Sequence, residues 1–284
     1  MALPPFHEHL NVILVLGVIE LAYLVALRRR DRRAAGDDHR RRRQTTLFSL
    51  GMITLFAAMG WPIHDLAEDL FAVHMVQHML FELVAPPLLI AGLPTWLLRA
   101  LLRPRPVEVV VRFITRPLVA LIFFNAVLLL IHWPAVVDLQ LRSEVAHDLL
   151  HVLMLVSGLV MWWPVMSPLP EMPALSPPAQ MMYLFFQSLA PTIPASFLTF
   201  GSKLLYPAYA AAPRIWGISA LTDQLVAGLI MKIAGGLYLW AFITVIFFRW
   251  HDREEREGWD ALALHAVQRD VRAGLAKRAE PSRP

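Results

Sequence analysis

The chain has 284 residues, 57% of them hydrophobic and only 17% charged, and its mean hydropathy of +0.52 means more apolar side chain than one water-soluble core can bury. The absence of cysteine excludes disulfides, thiolate nucleophiles, iron–sulfur clusters and Cys-based metal motifs, so any metal must be held by His, Met or carboxylate. The net charge is +4, but the basic residues sit in loops beside apolar runs, where they report membrane orientation and not nucleic-acid binding.

Seven apolar stretches, 10–27, 45–63, 70–93, 117–133, 145–163, 178–201 and 223–248, predict an all-α polytopic membrane protein with seven transmembrane helices, each stretch being able to cross a hydrocarbon layer of about 30 Å. Residues 1–248 then form the seven-helix domain and 249–284 a charged tail. Span one is followed by Arg28, Arg29, Arg30, Arg32 and Arg33. That is the reverse of a secretory signal peptide, and the span is expected to be retained. Segment 95–116 mixes apolar residues with Arg99, Arg103, Arg105, Arg112 and Arg116, the pattern of an interfacial amphipathic stretch lying against lipid. Pro86 and Pro87 fall in span three, Pro117 opens span four, and Pro191 and Pro194 fall in span six, which predicts kinks with freed carbonyls. The connections and tail place 22 Lys and Arg on one side and three on the other, with Lys232 left inside span seven. The positive-inside rule therefore puts residues 1–9 outside and the C-terminal tail in the cytoplasm.

Histidines concentrate at the outer ends of these spans. His64 follows span two, His74 and His78 lie in the outer half of span three, His132 closes span four, and His147 and His151 open span five. His74/His78 and His147/His151 share a four-residue spacing, which puts both imidazoles of each pair on one helix face. Met75 and Met79 sit beside the first pair, Met154 follows His151, and Met59 is near the end of span two. Imidazole plus thioether without thiolate is a ligand set that suits copper, Cu(I) above all, while zinc stays open through the imidazoles alone. Glu82 continues the His74/His78 face, and Asp148 adjoins His147; either carboxylate could fix the free ring nitrogen of a ligating His. Met75 and Met79 taken alone read equally well as core filler. Span seven holds Asp223, Gln224 and Lys232. Lys232 lies too deep to snorkel outward and is expected to meet an acceptor such as Glu82.

The order HDLAEDLFAVHMVQHMLFELVAPPLLIAGLP (64–94), IHWP (131–134), EVAHDLLHVLMLVSGLVMWWPV (144–165) and TDQLVAGLIMKIAGG (222–236) resembles the multi-span CtaG family of cytochrome c oxidase assembly proteins. The likeness runs from about Thr45 to Phe248 and departs from many members at Lys232, where they carry Trp. It implies a seven-helix protein of the bacterial cytoplasmic membrane that is not an enzyme and works on a haem-copper oxidase subunit, with copper handling as its expected chemistry. The histidines it carries over are His74, His78, His132, His147 and His151. Two other readings stay open. One is an electron-transfer protein with haem b held between His74 or His78 and His147 or His151. The other is a zinc hydrolase using His74, His78 and His147 with Asp148.

The orientation has a direct check. Alkaline phosphatase fused after Asp69 is expected to be active and after Pro284 inactive; the opposite pattern overturns the assignment of the histidines to the outer side.

Overall fold

The computed structural model describes residues 10–31 and 38–279, and within these the chain is helical with no strand. Residues 1–9, expected outside, lie beyond the described part. In chain order the helices are α1 (Leu10–Asp31), α2 (Asp38–Met59), α3 (Ile63–Asp69), α4 (Phe71–Met79), α5 (Ala85–Gly92), α6 (Thr95–Leu101), α7 (Arg105–Ile114), α8 (Pro117–Ile131), α9 (Pro134–Arg142), α10 (Glu144–Met166), α11 (Pro177–Leu189), α12 (Thr192–Phe200), α13 (Pro207–Ala211), α14 (Ala220–Leu229) and α15 (Gly235–Ala279). Two π-helical turns, Leu80–Val84 and Ile230–Ala234, join α4 to α5 and α14 to α15.

Four helical segments among the described residues are long and apolar enough to cross a membrane: Asp38–Asp69, Phe71–Gly92, Glu144–Met166 and Ala220–Glu257. A fifth is added if α7 and α8, bent by 82°, count as one broken span. The other expected spans take different forms. The stretch 117–133 is a helix of only 15 residues, and 178–201 is divided at Ala190 and Pro191 into helices of 13 and nine. Pro191 and Pro194 each remove a backbone donor from what would otherwise be one helix. The stretch 10–27 belongs to the 22-residue helix α1. Helix α15 passes residue 249 without a break, so the charged tail begins as a continuation of the last span.

The helices pack side by side, α1 on α2, α2 on α5, α5 and the first π turn on α10, α10 on α8, α11 on α15, and α12 on α14, which in turn meets α4. Helix α1 leaves Leu14, Val18 and Leu21 exposed, a face suited to lipid. It is held on its inner side by Tyr23, whose hydroxyl donates to the Gly92 carbonyl at 2.9 Å, and by Ser49, which donates to Glu20 at 2.6 Å. Helix α7 buries none of its residues and meets α8 at nearly a right angle, the geometry of a helix lying along an interface. At this end Arg99 makes two bonds to Glu171, at 2.7 and 3.2 Å, and Arg112 donates to the Glu171 carbonyl at 3.1 Å. The bond from Arg99 holds the Glu171 carboxyl down at about 2. This clasp is therefore present at neutral and mildly acidic pH and is lost only as pH falls toward that value.

The prolines of span three show how such a bundle satisfies its backbone. Pro86 has no N–H to offer the Glu82 carbonyl, and the Trp162 indole of α10 donates to that oxygen instead, at 3.1 Å. The approach requires Gly158, one turn earlier, because a Cβ there would stand 2.8 Å from both the Glu82 carbonyl oxygen and Pro86 Cγ. Trp162 is fully buried. Trp162→Phe is expected to leave this carbonyl unpaired and lower unfolding stability in detergent by about 1–2 kcal/mol; an unchanged unfolding midpoint overturns the account of the kink.

Candidate metal centre

At the end of the bundle where α4, α10 and α14 begin, six imidazoles come together. The element that sets their position is α4. Its N-terminus follows an extended Leu70 and has no side-chain cap of its own, which leaves the first backbone donors of a buried helix without partners. Asp223, from α14, supplies them: its carboxylate accepts from Phe71 N at 2.7 Å and Ala72 N at 2.9 Å. An acid at a helix N-terminus is also favoured by the helix dipole. Gln224 does the same for the connection ahead of α14, accepting from Leu205 N at 2.8 Å and donating to the Lys203 carbonyl at 3.2 Å.

Ring contacts sort the imidazoles into two groups. In the first, His74 Nε2 and His78 Nε2 are hydrogen-bonded at 2.8 Å, and the His78 and His132 ring centres are 5.4 Å apart. Gln140 of α9 reaches His74 Nε2 at 3.2 Å, and His132 Nδ1 bonds the Leu128 carbonyl at 2.7 Å. In the second, His147 and His151 have ring centres 4.3 Å apart, and His64 stands 5.3 Å from His147 and 6.4 Å from His151. Span three joins the groups: Gln77 contacts His64 Nδ1 at 3.4 Å, and Phe81 stacks on His151 at 4.7 Å.

His74, His78, His132 and His151 are buried. His78 Nδ1, His132 Nε2, His147 Nε2 and His151 Nδ1 are enclosed without a hydrogen-bond partner. A buried polar atom left unpaired costs about 1–3 kcal/mol, so four in one region call for an occupant or a change of shape. Among the described residues, no three His, Asp or Glu side chains form a metal site as they stand. The His74–His78 separation of 2.8 Å is that of a hydrogen bond; two nitrogens bound to one ion at about 2 Å each stand roughly 3–4 Å apart. The pair must open before it can chelate.

Of the other residues expected here, Met75 is buried and Met79 packs against the core, its thioether alongside Gly235. Glu82 is buried with Oε1 unpartnered. Asp148 is exposed and among the described residues makes no hydrogen bond to His147. Asp223 fixes a helix and not an imidazole. Lys232 does not pair with Glu82: its amine lies 5.7 Å over the Phe200 ring, because depth along a helix does not settle which neighbour a side chain turns toward. His64, Gln77 and Gln140 join the imidazoles without having been singled out by spacing. His64 does so because α3 and α4 pack together after the turn at Gly60–Pro62.

Fold and site define a multi-pass helical membrane protein with a buried, histidine-rich end. Residues 21–253 match the family described as cytochrome c oxidase caa3 assembly factor, Caa3_CtaG, and the chain belongs to that family. No curated protein and no solved structure matches it.

The cap on α4 makes a measurable demand. Asp223→Ala is expected to lower unfolding stability in detergent by about 2 kcal/mol or more, since two buried donors lose their acceptor, and Asp223→Asn by roughly half as much. Equal stability of the three proteins overturns the capping role.

Proposed function

We propose that this protein is a cytochrome c oxidase assembly factor of the bacterial cytoplasmic membrane that binds copper at its outer, histidine-rich end and supports metallation of a haem-copper oxidase subunit. The observation that carries the reading is the set of four buried, unpartnered ring nitrogens at His78, His132, His147 and His151, gathered from three separate helical segments, with Met75 and Met79 lining the same cavity as His78 and His132. Neutral imidazole and thioether together favour copper over hard cations. In this reading all seven apolar stretches cross the membrane, with residues 1–9 outside, so that the site faces the side where copper arrives. The protein turns over no substrate. Copper is cargo, and a mixed His/Met set suits cargo because its ligands can be exchanged one at a time.

The haem reading gains no support from the space available. The cavity beside His78 and His132 measures about 40 Å³, against roughly 300 Å³ or more for pockets that take organic ligands. The hydrolase reading gains none from Asp148, which is exposed.

His78→Ala and His151→Ala are expected to leave the protein inserted at normal level and to lower oxidase activity in the cell, with partial recovery on adding copper. Loss of a ligand commonly weakens metal affinity by about 10–100-fold, and excess metal offsets such a loss by mass action. Unchanged oxidase activity in single Ala variants of all five of His74, His78, His132, His147 and His151 overturns the proposal.

A further inference from the structure

The two histidine groups differ in what lies behind them. Behind the first is a partly open cavity of about 40 Å³ between α4, α8, the break between α11 and α12, and the second π turn. Its wall includes His78, Glu82, His132, Met75, Met79 and Met231. His64, His147 and His151 take no part in it. Glu82 is eleven residues beyond the start of α4, roughly 16 Å along the helix at 1.5 Å per residue, so the cavity extends well into the span.

Three residues of this wall each carry a polar atom buried without a partner, His78 Nδ1, Glu82 Oε1 and His132 Nε2, and as they stand they do not yet close on an ion. The three are 5%, 6% and 9% exposed. The cavity exceeds the roughly 10–15 Å³ that one water needs and is far too small for an organic ligand, so its size fits an ion with few or no waters. Imidazoles and thioethers select a soft cation, and one carboxylate matches a single positive charge. Lys232 shares the wall, and its ammonium opposes the cation through like charge. Turned over Phe200, it weakens the site without filling it, which favours release.

We propose that this cavity is a second cation station, deeper in the bundle than the group of His64, His147 and His151, so that the protein holds two monovalent soft cations at once and passes copper inward from one to the other. Met231, Glu82 and His132 belong to the deep station, His147 and His151 to the outer one, and Lys232 sets the affinity of the deep one. This rests on the copper reading above.

The test uses Ag(I), which has the charge and ligand preference of Cu(I) without its redox chemistry, on the full-length purified protein in detergent. Bound silver is counted by elemental analysis after gel filtration, and the local shell is read by X-ray absorption. The wild type is expected to hold two Ag(I) per chain. Met79→Leu/Met231→Leu and Glu82→Gln should each hold one, the former with reduced Ag–S scattering, and His147→Ala/His151→Ala should also hold one, with that scattering kept. Lys232→Leu, which removes the charge without adding a ligand, should keep both ions and bind the deep one on the order of tenfold more tightly, a gain that misfolding cannot produce. A single ion that is lost only in His147→Ala/His151→Ala, with Lys232→Leu indistinguishable from wild type, overturns the second station and leaves the copper reading standing. No bound silver in the wild type overturns both.

Discussion

The histidine-rich end depends on one carboxylate. Asp223 is nearly excluded from solvent and holds the start of α4 by accepting from Phe71 N and Ala72 N. Within a membrane no water stands ready to take over those donors, so without the acid the first turn of α4 would be better off unwound. His74 and His78 come within the next two turns. Their place is therefore fixed by a residue some 150 positions later in the chain. Gln224, the next residue, fastens the connection between α12 and α14. Two adjacent side chains of the last span thus close the histidine-rich end of the bundle from both sides.

A second constraint is the conflict between proline and apolar surroundings. Pro86 forfeits a bond, Trp162 restores it, and Gly158 makes room for Trp162 to do so. The Leu80–Val84 stretch widens into a π turn just before the prolines. A π turn inserts one residue into the helical register, which rotates the later residues by about 100° relative to an unbroken α-helix. Helix α4 and helix α5 therefore present faces that a simple four-residue count along span three does not forecast. The companion widening at Ile230–Ala234 contains Lys232 and contacts α4.

Hydropathy and spacing made the helical class and the long spans of α2, α10 and α14–α15 legible, since a run of apolar residues in this number has few other uses. The same property hid the division of residues 178–201. Its composition is that of a span, and only the positions of Pro191 and Pro194 tell against one continuous helix. The histidine pairs were legible because a four-residue step is local information. The division into two groups was not, because it depends on how α3 and α9 fold over the ends of longer helices, and neither carries a hydropathic signal strong enough to announce itself. Lys232 illustrates the limit. Its depth was readable from its place in span seven, but its direction was decided by Phe200 on α12.

Bare buried polar atoms also occur singly in the frame, at Glu20, Asn125, Trp163 and Thr199, but in the centre they are gathered on neighbouring imidazoles. In the frame, Asp223 and Gln224 have both ends of their side chains bonded, and Gln187 donates to the Tyr183 hydroxyl while accepting from Asn125. Such groups are locked by their partners. In the centre, one nitrogen on each of His78, His132, His147 and His151 is bare, and the His74–His78 bond joins two groups that could equally well share an ion. Fully satisfied ligands would have to break bonds with the protein before meeting a metal; fully mobile ones would give up too much side-chain freedom on binding it. Imidazoles held in place by helices but left unfinished on one side avoid both penalties, and that is the condition under which an ion can move from one set of ligands to the next.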